Sequence, residues 1–129
     1  FNDRERGGVM SAELLARSGK PTYSAKLREE GMQRIADLHT AWHGRDNGRI
    51  SVFPAVAHAE NCSGELLRAV REFAEKHDLN YTIHTSQSTW EVDYMVRWHG
   101  LRPIEYLAKH EFLGPRFIAA HCRYVNQAE

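Results

Sequence analysis

Residues 81–92, YTIHTSQSTWEV, change period halfway along. The opening is rich in aromatic and β-branched types, and we read a strand over 80–84. From Ser88 the pattern turns helical. Ser88 and Glu91 have the spacing of a capping box, and Val92, Met95 and Val96 recur at helix intervals until Gly100 ends the segment. A strand running into a helix is half of a βαβ unit. At the junction stand His84 and four small polar side chains, Thr85, Ser86, Gln87 and Ser88.

The same grammar extends outward. RISVFPAVA (49–57) reads as a strand, with Pro54 near its end or at a bulge. SGELLRAVREFAEKH (63–77) is an amphipathic helix capped by Ser63, with Leu66, Leu67, Val70, Phe73 and Ala74 as its buried stripe. Pro103 suits the first position of a further helix, PIEYLAKH. LGP (113–115) is a turn, and RFIAAHC (116–122) is a third strand, apolar enough for burial on both faces. Upstream, a helix from Ser24 carries Leu27, Ile35, Leu38 and Trp42 and closes at Gly44. Residues 1–23 read as a loop with a helical turn at SAELLARS. Strands recur about every 30–35 residues, the length of a βαβ unit, which predicts an α/β fold with parallel strands.

Parallel strands place their C-terminal ends on one face, where α/β proteins carry their sites. The three strands run out into His58, His84 and His121, which the pattern puts in register. Small polar groups surround them. Imidazole is a common zinc ligand and an acid or base near neutral pH. Clustered imidazoles on a sheet rim suit a metal-dependent hydrolase, in which the metal lowers the pKa of a coordinated water toward about 7. The plainer reading is that eight histidines put some at strand ends by chance. His77, His99 and His110 sit at helix C-termini, where positive charge suits the dipole, and are read as structural. His39 and His43 belong to the surface of the first helix. Trp90 is a packing residue or the wall of a pocket. Cys62 and Cys122 read as small buried fillers. Cys62 opens a helix, which lowers a thiol pKa, but no base is paired with it.

Composition excludes other classes. The 129 residues carry 17 basic and 17 acidic side chains with no basic run, so nothing points to nucleic acid. No apolar run is long enough to span a membrane, and two cysteines are too few for a disulfide framework. Those features predict a cytoplasmic protein. Asn126 and Glu129 form a helix-start signature with no helix body after it, so we expect a piece of a longer chain.

Three stretches carry a family resemblance: AHAENCSGELLRAVREFAEKH (57–77), IHTSQSTWEV (83–92) and GLRPIEYLAKHEFLGPRFIAAHCRYVNQAE (100–129). Together they resemble the amidohydrolase superfamily, in its branch of cyclic deaminases and chlorohydrolases. The resemblance implies that this chain is part of one catalytic (β/α)₈ TIM-type barrel, about strands four to six. It implies one divalent metal, Zn²⁺ or Fe²⁺, with His84 as a ligand and His121 orienting water and substrate. His58 matches a histidine that contacts substrate in some members, and Trp90 lies near enough to join it. The family's first-strand His-x-His pair and last-strand aspartate are absent, so the chain alone is expected to be inactive. Many members carry glutamate where Gln87 stands; an amide orients but does not titrate. The implied activity is hydrolysis of C–N or C–Cl bonds of a small cyclic substrate. Implied partners are the remainder of the barrel and further copies of the intact protein. The alternatives are a non-catalytic or structural relative and, last, a phosphate-binding α/β protein, for which no Gly-rich loop follows a strand.

Overall fold

The computed structural model describes residues 1–5, 17 and 19–129. The turn expected at SAELLARS lies, but for Arg17, outside them. The elements in chain order are α1 (Ala25–Trp42), β1 (Ala55–His58), a 3₁₀ turn (Ala59–Asn61), α2 (Gly64–Lys76), β2 (Tyr81–Thr85), α3 (Thr89–His99), α4 (Pro103–Lys109) and β3 (Phe117–His121).

Local chemistry sets these boundaries. The side chains of Ser24, Ser63 and Ser88 accept the backbone N–H of Leu27, Leu66 and Glu91, so each supplies a bond that the first turn of its helix lacks. Gly100 ends α3 at a φ of 68°, which only glycine adopts cheaply. Pro103 opens α4. β1 starts at Ala55, later than the expected 49–57, because Pro54 has no N–H to offer a ladder. Its carbonyl still accepts the N–H of Thr82 at 3.1 Å.

The strands form one parallel sheet in the order β1-β2-β3. Burial alternates along β2. Tyr81, Ile83 and Thr85 are buried, while Thr82 and His84 face the more open side. The core joins Leu66, Leu67, Val70 and Ala74 of α2 to Val56, Tyr81, Ile83, Met95, Leu107 and Phe112. Each fully buried leucine there stabilises the fold by about 1.5–3 kcal/mol.

Two expected burials do not occur. β3 is bonded to β2 alone and is largely exposed, with Ile118 45% accessible. Its apolar run permits burial, but among the described residues nothing covers its outer face. The α1 stripe is likewise open: Leu38 and Trp42 are each 49% exposed, and Gly31, under the Phe1 ring, is the buried residue of that helix.

The first residues fasten the site's side of the sheet. The Phe1 backbone nitrogen donates to the Ala55 carbonyl at 3.0 Å, and the Ala57 N–H donates to the Phe1 carbonyl at 2.7 Å. Buried Asp3 accepts the Ser63 N–H at 2.8 Å and the Ser63 hydroxyl, and it pairs with Arg28 at 3.4 Å. No helix among the described residues is long and apolar enough to cross a membrane.

Candidate active site

His58 and His84 are register partners on β1 and β2, past an irregularity between Val56 and His58. Their rings stack with centroids 5.0 Å apart. His121 is one step out of the expected register, because it pairs with Thr85 and not with His84. A regular pleat would turn it to the face of Thr85. Instead the backbone enters the left-handed region at His121 (φ 77°) and Cys122 (φ 47°), which ends the alternation. The ring then lies 5.1 Å from that of His84, with Nε2 of His121 3.2 Å from Nδ1 of His84. Such strained backbone outside glycine costs roughly 1–3 kcal/mol per residue and clusters at functional sites.

Gln87 completes the group. Its side-chain Nε2 lies 3.1 Å from Nδ1 of His58. An amide nitrogen only donates, so Nδ1 accepts and the neutral ring carries its proton on Nε2. Burial, then the neighbouring His84 and His121, lowers the His58 pKa to about 4, so the ring is neutral at pH 7. His58 is 7% exposed, whereas His84 and His121 stand on the open rim.

The loop that presents Gln87 is held from below. Both oxygens of Glu91 are engaged: Oε1 accepts the Ser86 N–H and Oε2 the Gln87 N–H, each at 2.8 Å. The expected capping box is therefore displaced. Ser88 caps Glu91 at 3.4 Å, but the carboxylate reaches one and two residues further back. Ser86 adopts a φ of 51° and its carbonyl accepts the N–H groups of Arg123 and Tyr124, while Thr85 accepts that of Cys122. The chain leaving β3 is thus pinned to the loop leaving β2.

Other expected residues fall elsewhere. Trp90, in the first turn of α3, is partly buried against the core cluster. Cys62 is fully buried and its thiol pKa is pushed up by burial, the reverse of the expected helix effect: the dipole is weaker than the loss of water. Burial also raises Cys122. His77 and His110 cap α2 and α4, and His99 ends α3. Burial lowers His110, and lowers His99 to about 4, so neither supplies the positive charge anticipated for a helix end.

Sequence reasoning placed Asn61 among the small polar groups near the histidines but missed Asp3, Arg4 and Glu60, and all four are buried at this end of the sheet. No local pattern marks them. Glu91 was visible as a capping residue, but its hold on Gln87 was not. Among the described residues no group of three or more His, Cys, Asp or Glu is placed to hold a metal ion. The arrangement provides two facing imidazoles on a rim, a neutral third imidazole behind them, and an amide bonded to it.

Residues 6–129 match the amidohydrolase family. A 5'-deoxyadenosine deaminase of Methanothermobacter thermautotrophicus is 40% identical over 121 residues, which make up 94% of this chain and 27% of that protein. An adenosine deaminase from Xanthomonas campestris, solved with bound zinc, superposes with a TM-score of 0.71 at 27% identity, covering 78% of this chain and 22% of that one. Atrazine chlorohydrolase from Arthrobacter aurescens TC1, complexed with zinc, has a TM-score of 0.67 at 19% identity over 73% of this chain and 21% of that one, a likeness of fold alone. The chain thus spans about a quarter of the length of the relatives it matches. Its three parallel strands and their helices are part of a (β/α)₈ barrel.

Proposed function

This chain belongs to the amidohydrolase family, and from that premise we propose that the protein containing it is a metal-dependent hydrolase. It removes an amino or chloro group from a small heterocycle. The observation that carries the reading is the meeting of His58, His84, His121 and Gln87 at the C-terminal rim of parallel strands. The names of the deaminase relatives support the substrate class.

The donor chemistry fits a divalent metal such as zinc, because rim imidazoles suit borderline metals. His84 would hold it, with the remaining ligands from outside the described residues. When bound, such a metal supplies Lewis-acid activation of water near neutral pH. The chain's own residues do the rest. His121, 3.2 Å from His84, orients the attacking water. His58 is fixed by the Gln87 amide and presents Nε2–H to an acceptor on the substrate. Gln87 positions and does not titrate.

The test uses the full-length protein with metal content measured in each variant. His84→Ala should lose metal and turnover. Gln87→Glu should add a titration to the pH–rate profile. Gln87→Leu should lower kcat by roughly tenfold through lost hydrogen bonding. An unchanged profile in Gln87→Glu, with parental activity in Gln87→Leu, would place residue 87 away from the reacting groups and overturn the assignment.

A further inference from the structure

Below the histidine rim two carboxyl groups are shut away from water. Glu60 lies in the 3₁₀ turn after β1 and Glu91 in the first turn of α3, and both are 0% exposed. They are treated very differently by their surroundings. Glu91 spends its oxygens on the Ser86 and Gln87 amides. Among the described residues neither side-chain oxygen of Glu60 has a hydrogen-bond partner.

The turn carrying Glu60 packs against β2, α3 and α4. From α3 the charged neighbour is Glu91, and from the N-terminal segment it is Arg4. Cys62 lies just beyond the turn, and α4 contributes Tyr106, whose hydroxyl donates to the Cys62 carbonyl at 3.0 Å. Arg4 is committed elsewhere, donating to Asn61 Oδ1 at 3.2 Å and lying over the Tyr94 ring. Two adjacent carboxylates in low dielectric do not both ionise readily, and the one that accepts amide N–H bonds keeps the charge.

We infer that Glu60 is a positioning residue that works as a neutral acid. By carrying no charge it leaves Glu91 as the charged member of this carboxyl pair, which holds the Ser86–Gln87 loop and, through Gln87, the His58 ring. The hydrolase reading enters only through one of the two readouts below.

Burial first, and Glu91 second, raise the Glu60 pKa from 4.5 to about 8, so the group keeps its proton at pH 7. An opening that exposes Glu60 returns it to an ordinary carboxylate. The ordered loop therefore loses ground as pH rises from 4.5 to about 8, by up to roughly tenfold per unit, and levels off above that. Within the ordered state Glu60 itself titrates near the upper limit.

The experiment follows hydrogen exchange of the Ser86 and Gln87 amides in the full-length protein from pH 5.5 to 9.5, corrected for intrinsic exchange, beside kcat over the same range. The parent should show protection that falls up to about pH 8 and a step in kcat near it. Glu60→Gln, neutral at every pH, should make protection flat and remove the step. Glu60→Met tests the same neutrality should the buried amide prevent folding. A fall in protection with the parental midpoint in either folded variant overturns the inference. If the protein hydrolysed no heterocycle, the function proposed above would fail, and exchange would still decide this point.

Discussion

Glu91→Gln is the sharpest perturbation of the site that leaves its shape alone. The carboxylate accepts two buried amide N–H groups, one on each oxygen, at 2.8 Å each. Glutamine has one carbonyl, so one of the two amides meets an NH₂ that cannot accept. Hydrogen bonds to a charged group contribute about 1.5–3 kcal/mol, and a buried donor left unpaired costs about 1–3 kcal/mol. One effect opposes the loss: the neutral side chain is cheaper to bury, since burial raises the Glu91 pKa in spite of its amide bonds. The unpaired donor outweighs it. The expected net cost is about 2 kcal/mol, or roughly a 30-fold fall in the population of the ordered loop. Exchange at Ser86 and Gln87 should accelerate by that factor, and kcat/KM should fall by up to the same factor as His58 loses its partner. Glu91→Ala, which abandons both amides, should cost more. Parental exchange at both amides in Glu91→Gln would show that this carboxylate does not hold the loop.

Two further outcomes follow from packing and charge. Gly64 is buried in the first turn of α2, where a Cβ would run into Nδ1 and Cε1 of His110. Gly64→Ala should therefore lower stability by about 1–3 kcal/mol in a urea titration despite its better helix propensity, and His110→Ala in the same chain should recover part of the loss. His99 has its pKa lowered from 6.5 to about 4 by burial, so the unfolded chain binds the proton more tightly. Stability should be intact above pH 6.5 and fall as pH drops toward 4, with a ceiling of roughly 3 kcal/mol that His99→Gln removes. An acid limb unchanged in that variant would assign the loss to other groups.

The residues around β2 show what was legible beforehand. The caps at Ser24, Ser63 and Ser88, the left-handed Gly100 and the opening Pro103 are settled by atoms within a few positions of each other, so the order of helices and strands was open to reading. The parallel arrangement followed from the spacing of the strands, and the rim histidines from where those strands stopped. The reciprocal bonds of Asn126 and Glu129 were equally local, and they form at 3.1 and 3.2 Å.

What the tertiary structure decided involves partners far apart in the chain. Asp3 meets Ser63 across 60 positions, and Gln87 meets His58 across 29. No periodicity encodes such meetings. The exposure of β3 and of the α1 stripe depends on what lies against them, which an apolar pattern permits but does not choose. His121 joins His84 only because the backbone leaves the pleat at that residue. The charge state of Glu60 is the extreme case. Nothing in the neighbouring sequence marks it, whereas burial beside Glu91 makes it an acid that keeps its proton at neutral pH. Caps, turns and strand order are short-range and so are written in the sequence. Burial and electrostatics depend on every group that the fold brings within a few ångströms, and only the folded chain specifies which groups those are.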